Sequence, residues 1–203
     1  MYHRSETEEK RGKEKPLEHI ESGRSYMKYA IIGAGGTGGC LGFFLKKAGK
    51  DVTLIARGKH LEAIRKNGLT IQKLWDESRE TLPVKACTAE EYKEIPDVIL
   101  VCVKGYSMDE TVPTIKKIAG KETVVIPILN IYGTGGRLQK NLPELTVTDG
   151  CIYVSANIME PGVILQHGKI LRVVFGARKP EEETEKQFDP FFEEMSHPFF
   201  RLF

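Results

Sequence analysis

The stretch YAIIGAGGTGG, residues 29–39, places five glycines directly behind a short apolar run. That run, KYAII at 28–32, is typical of a buried parallel strand. Apolar residues then recur at helical spacing up to Gly49, at Cys40, Leu41, Phe44, Leu45 and Ala48. Because DVTLIAR at 51–57 predicts a second strand, the glycines lie between a strand and a helix of a βαβ unit.

The glycines form the pattern Gly33-x-Gly35-x-x-Gly38, which in this context predicts a dinucleotide-binding loop. Gly33 permits the turn out of the strand, Gly35 a close approach to a pyrophosphate, and Gly38 tight helix packing. The anion would meet free N–H groups at the positive end of the helix dipole. The alternative is a merely flexible loop. A nucleoside triphosphate loop is excluded because no Lys-Ser/Thr pair follows the glycines.

The end of the second predicted strand indicates which dinucleotide binds. An NAD site requires an acidic residue there for the ribose 2′-hydroxyl. Arg57 occupies that place, with Lys59 and His60 just beyond, whereas Asp51 lies at the opposite end of the strand. A guanidinium suits a 2′-phosphate, so the sequence favours NADP, the alternative being a solvated strand-end arginine.

Two later strands also end in polar residues. DVILVCVK at 97–104 ends in Lys104, and ETVVIPILN at 122–130 ends in Asn130. Ligands of open parallel sheets bind beyond the carboxyl ends of the strands, so both side chains are expected to face the crevice that holds the glycines. Either residue could also be an ordinary polar residue at a strand end.

Composition excludes several other classes of function. The 203 residues carry a formal net charge of only +2, which gives no electrostatic case for nucleic acid. The longest apolar runs are about one strand long, so no membrane span is expected. The four cysteines are far apart and the histidines lack metal-ligand spacing, as expected of reduced thiols in a cytoplasmic protein without a metal site.

The two ends of the chain differ from the middle. Residues 1–26 are mostly charged or polar and predict a disordered extension, with a regulatory arm as the alternative. Six of the nine phenylalanines fall in 188–203, and the last five residues include four apolar ones. An exposed apolar tail of this kind predicts association, either with another copy of the chain or with a missing segment.

The combined motifs resemble the ketopantoate reductase family (2-dehydropantoate 2-reductase). The resemblance lies in MKYAIIGAGGTGG, DVTLIARGKHLEAIRKNGL, DVILVCVKGY, VVIPILNIYG and EPGVILQHG, between Met27 and about Arg178. It implies an α/β Rossmann-type, doubly wound and mainly parallel sheet over 27–178. The family's helical C-terminal domain would then be truncated, with 179–203 as its remnant.

The resemblance also implies a function, the NADPH-dependent reduction of ketopantoate in pantothenate biosynthesis. It places a cofactor site at Gly33, Ala34, Gly35, Gly36, Thr37, Gly38, Arg57, Lys104, Asn130 and Ala156, and a site for a small 2-oxo acid at Lys104 and Asn130. Ile131 stands where the family often has glycine. The family's catalytic lysine belongs to the domain that this chain lacks, which leaves Lys104 as the candidate here. The alternatives are an NADP(H)-binding module without turnover and a reductase of another 2-oxo acid.

Overall fold

The structure is a computed structural model that describes residues 27–178. Within these residues the helices are α1 (Gly36–Lys47), α2 (Gly58–Asn67), α3 (Val112–Ile118) and α4 (Thr134–Asn141). The strands are β1 (Lys28–Ile32), β2 (Asp51–Ile55), β3 (Leu69–Lys73), β4 (Arg79–Leu82), β5 (Lys85–Cys87), β6 (Val98–Val101), β7 (Val124–Pro127), β8 (Thr146–Val147), β9 (Asp149–Tyr153), β10 (Ala156–Glu160), β11 (Val163–Gln166) and β12 (Arg172–Gly176). The predictions for 1–26 and 179–203 fall outside the described residues.

A six-stranded parallel sheet in the order β5-β2-β1-β6-β7-β8 forms the centre of the fold. Its β1 is buried on both faces, because Tyr29 and Ile31 point into one apolar core and Ala30 and Ile32 into another. Four consecutive apolar residues, Tyr29–Ile32, are what such a strand needs. The predicted Rossmann-type, mainly parallel α/β fold is therefore confirmed.

Helix α1 lies between the central sheet and a second sheet, whose strand order is β10-β11-β3-β4. Glycines allow both contacts, since a Cβ on Gly42 would lie 2.6 Å from Leu54 and one on Gly39 would lie 2.7 Å from Ile164. The predicted apolar stripe omitted Phe43, and its member Phe44 is partly buried against the core. Because α1 packs on two sides, Phe43 is buried and Phe44 only half-buried.

The strands between 149 and 176 do not pair as a simple series of hairpins. The turn at Pro161–Gly162 does join the antiparallel pair β10 and β11. However, β12 pairs with β9 rather than with β11, and β11 pairs in parallel with β3. These long-range pairings carry no local sequence signal.

Two short 3₁₀ turns, Gly105–Ser107 and Asp109–Thr111, precede α3, which begins at Val112. Pro113 then occupies the first turn of α3, where its missing N–H costs little. No helix among residues 27–178 has the length and apolarity needed to cross a bilayer.

Candidate functional site

A cleft of about 890 Å³ opens beyond the carboxyl ends of β1, β2, β6 and β7. Nine of the ten residues predicted to bind the cofactor line it, namely Gly33, Ala34, Gly35, Gly36, Thr37, Arg57, Lys104, Asn130 and Ala156. The tenth, Gly38, is buried beneath the cleft. The topology thus brings together residues that are up to 123 positions apart, as expected for strand ends of one parallel sheet.

The glycines of the loop between β1 and α1 differ in backbone conformation and in the atoms that surround them. Gly33 has a φ of +97°, a left-handed conformation that permits the turn after β1. A Cβ on Gly35 would have no atom within 4 Å, and Gly35 lines the cleft. That open space at a helix N-terminus fits the close approach of a pyrophosphate.

Gly36, which follows the second motif glycine, and Gly38, the third motif glycine, both make close packing contacts. A Cβ on Gly36 would lie 2.2 Å from the backbone oxygen of Ala156, because β10 crosses the start of α1. A Cβ on Gly38 would lie 1.9 Å from the oxygen of Gly33. Gly38 therefore lets α1 start close to β1, which is its predicted role, and it does so without facing the cleft.

Arg57 and Lys104 are exposed cations of the cleft without a carboxylate partner in residues 27–178. Arg57 precedes the first turn of α2, and Lys104 precedes the 3₁₀ turn that follows β6. By contrast, each of four other arginines in this part of the chain pairs with a carboxylate: Arg65, Arg79, Arg137 and Arg178. Both cleft cations are consequently available to an anionic ligand.

Asn130 makes two hydrogen bonds that sequence reasoning did not foresee. Its Nδ2 donates to the oxygen of Ile152 at 2.8 Å, and its Oδ1 accepts from the Ile152 N–H at 2.9 Å. The amide therefore pairs with β9 as a neighbouring strand would. One Nδ2 hydrogen and one Oδ1 lone pair remain for a ligand in the cleft.

The cleft also contains polar residues that were absent from the predicted set. His60 lies in the first turn of α2, Glu90 follows β5, and Glu110 lies in the second 3₁₀ turn. The sequence indicates His60 only as a neighbour of Arg57, and its position next to a strand end is the available signal. Glu90 and Glu110 lie in loops whose approach to the cleft depends on tertiary structure.

Cys102 forms part of the cleft wall, but its thiol is expected to be unreactive. Its side chain is buried, and burial raises the pKa of its thiol far above the ordinary value. A thiol held in the protonated form is a weak nucleophile. All four cysteines of the chain are free in the structure, and residues 27–178 contain no cluster of three or more potential metal ligands.

The sequence model of the family described as "Ketopantoate reductase PanE/ApbA" matches residues 29–180. The chain belongs to the ketopantoate reductase family. The match includes the loop between β1 and α1 and every other residue of the predicted cofactor set. A nicotinamide dinucleotide is the cofactor of this family of oxidoreductases, and the Rossmann-type fold of the chain suits it.

Individual members of the ketopantoate reductase family are similar to the chain over most of its length. A 2-dehydropantoate 2-reductase from Pyrococcus horikoshii is 33% identical over 169 residues, which are 80% of this chain and 53% of that protein. An uncharacterized oxidoreductase, YkpB, from Bacillus subtilis is 30% identical over 74% of this chain and 48% of its own length. The chain spans about half the length of these curated relatives.

A solved structure of a ketopantoate reductase gives the same fold. The 2-dehydropantoate 2-reductase from Porphyromonas gingivalis superposes with a TM-score of 0.75 at 31% identity, over 88% of this chain and 64% of that one. The similarity thus extends over the central sheet and the second sheet together.

Proposed function

We propose that the chain binds NADP(H) in this cleft and forms the cofactor-binding half of a 2-oxo acid reductase, with 2-dehydropantoate as its first candidate substrate. The observation that carries the proposal is that Arg57 and Lys104, which have no carboxylate partner among residues 27–178, line the same cleft as the open helix start at Gly35. A dinucleotide phosphate has several anionic groups and needs such a surface.

Different residues of the cleft would bind different parts of the cofactor. The N–H groups at the start of α1 would hold the pyrophosphate, which reaches them because Gly35 has no side chain. Arg57 would pair with the 2′-phosphate through two charge-assisted hydrogen bonds. Ala156 and Ile158 of β10 would form an apolar wall of the site.

The chemistry requires a hydride, which the bound cofactor supplies, and a proton for the reduced ketone oxygen. Lys104 is the one ammonium among the residues that line the cleft, and its charge suits the carboxylate or ketone oxygen of a 2-oxo acid. Asn130 would orient the substrate with the hydrogen-bonding capacity that its pairing with Ile152 leaves. In the whole enzyme, a general acid from the half outside this chain would complete the site.

The binding proposal is tested by titrating the purified chain with NADPH and NADH and following the fluorescence of the reduced nicotinamide. NADPH is expected to bind more tightly. Arg57→Ala should remove about 1.5–3 kcal/mol, a tenfold to hundredfold loss that is confined to NADPH. Arg57→Lys keeps the charge but not the paired geometry, so its NADPH affinity should lie between those of wild type and Arg57→Ala. An NADPH preference that survives Arg57→Ala contradicts the assignment.

Turnover distinguishes a complete enzyme from a binding module. A positioned general acid contributes about 10²–10⁴-fold to a rate, and substrate orientation contributes more. The chain is therefore expected to oxidise NADPH with ketopantoate at least ~10³-fold more slowly than a full-length relative. A normal rate that Lys104→Ala abolishes would show that the chain carries its own acid.

A further inference from the structure

His60 connects three parts of the cleft wall. It is half-buried in the first turn of α2 and lines the cleft. Its Nδ1 accepts a hydrogen bond of 3.0 Å from the N–H of Gly162, a residue 102 positions away in the turn between β10 and β11. Gly162 is buried, so its N–H needs this partner.

The hydrogen bond from Gly162 fixes the tautomer of the imidazole. A backbone N–H can only donate, so the Nδ1 that accepts it carries no proton. A neutral His60 therefore carries its proton on Nε2. The carbonyl of Gly162 in turn accepts from the N–H of Thr70 at 2.9 Å, which holds the turn against β3.

The other side of the imidazole faces the loop between β1 and α1. Nε2 is buried and makes no regular hydrogen bond with a residue of the described part. The backbone of Ala34 lies close enough to favour the protonated imidazole, although burial has the larger effect and lowers the pKa of His60. With Nδ1 occupied by Gly162, the Nε2–H is the group left to face Ala34.

We propose that His60 is a positioning residue. It fixes the separation between Ala34, in the loop between β1 and α1, and the β10–β11 hairpin, across the pyrophosphate end of the cleft. This inference rests on the proposed function, because that separation matters for a dinucleotide. The clearance is small, since a Cβ on Gly36 would already lie 2.2 Å from the oxygen of Ala156. A shift of the hairpin would therefore change the width of the site.

The first test uses the cofactor-free chain and heteronuclear NMR of the histidine side chains. His60 is expected to show an unprotonated Nδ1 and a protonated Nε2 at neutral pH. The amide of Gly162 should exchange with solvent as slowly as the amides of β11. A proton on Nδ1, or a Gly162 amide that exchanges as fast as an exposed one, overturns the proposal.

The second test separates positioning from general stability by comparing two ligands. His60→Leu keeps the bulk of the side chain but removes both polar contacts, and should weaken NADPH binding about tenfold. Binding of 2′-AMP, which has no pyrophosphate, should be unchanged. His60→Asn places an amide oxygen near the position of Nδ1 and should recover part of the NADPH affinity.

His167→Leu is the matched control, because His167 lies on the same hairpin, hydrogen-bonds Asn157 and does not line the cleft. Equal losses of NADPH and 2′-AMP affinity in His60→Leu would show a merely structural role and overturn the proposal. If His60→Leu does not fold, His60→Asn replaces it in the test. A weaker NADPH affinity of His60→Asn with an unchanged 2′-AMP affinity then supports the proposal. Equal losses of the two affinities overturn it. A wild-type chain that binds no NADPH overturns the proposed function, whereas unchanged NADPH affinity in His60→Leu overturns only the inference about His60.

Discussion

Gly35 and Gly36 are neighbours in the same loop, yet glycine is needed at the two positions for different reasons. A side chain at Gly35 would extend into the open cleft, where the protein itself has no atom within 4 Å. A side chain at Gly36 would overlap the backbone of Ala156, which cannot move away without displacing β10. We therefore expect substitutions at these adjacent residues to affect ligand binding and folding separately.

This difference predicts opposite results for two substitutions. Gly35→Val should fold with a Tm close to that of wild type and lose NADPH binding, because its side chain occupies the space for the pyrophosphate. Gly36→Ala should cost about 1–3 kcal/mol of stability and lower the Tm by several degrees. Thermal unfolding and NADPH titration of both variants check this. Unchanged cofactor affinity in Gly35→Val would mean that the dinucleotide lies elsewhere.

At the scale of elements, Asn130 joins the end of β7 to β9. Its amide exchanges two hydrogen bonds with the backbone of Ile152, which is buried. Asn130→Ala should therefore lower the free energy of unfolding by about 1–2 kcal/mol. Urea unfolding measures the change, and Ile131→Ala, at an exposed neighbour, should stay within about 0.5 kcal/mol of wild type. Equal stability of the two variants would show that the hydrogen bonds between Asn130 and Ile152 do not stabilise the fold.

The contact between α2 and the β10–β11 turn predicts a pH dependence of stability. Burial lowers the pKa of His60 in the folded chain below its ordinary value of 6.5. Below that value His60 becomes protonated in the unfolded chain while it is still neutral in the folded chain. The free energy of unfolding therefore falls as the pH drops toward the folded pKa. Above the ordinary value, His60 is neutral in both states and contributes no pH dependence.

Urea unfolding of wild type and His60→Asn between about pH 7.5 and pH 5 measures this contribution. The wild-type chain should lose more stability over this range than the variant, which has no titrating group at the position. Parallel pH profiles for the two proteins would contradict the assignment of a neutral, buried imidazole.

At the scale of the whole molecule, the apolar C-terminal sequence predicts self-association. Six phenylalanines lie within residues 188–203, in a chain that spans about half the length of its curated relatives. We expect the purified chain to sediment as oligomers, because an apolar tail of this kind is rarely left exposed in a monomer. Replacing Phe199, Phe200 and Phe203 by Ser should shift it toward the monomer. Identical sedimentation of both chains would exclude this tail as the cause.

The local sequence was sufficient to predict the βαβ unit and the strand ends of the cleft. The apolar run Tyr29–Ile32 in β1, the glycines behind it and a helical stripe are patterns of short range. The parallel order of the strands follows from alternating strands and helices. Strand lengths were less accurate. The strands β6 and β7 end at Val101 and Pro127, three residues before Lys104 and Asn130, because polar strand-end residues do not mark the last ladder hydrogen bond.

By itself, then, the sequence determined the family, the fold class and nine residues that share the cleft. Tertiary structure alone decided that β11 pairs with β3, that Ala156 crosses Gly36, and that Asn130 and His60 bind distant backbone groups. The physical reason is range. Strand and helix patterns are properties of neighbouring residues, whereas these contacts join residues 22 to 120 positions apart through groups that every residue carries. A backbone N–H or carbonyl has no sequence signature, so its partner becomes visible only in the folded chain.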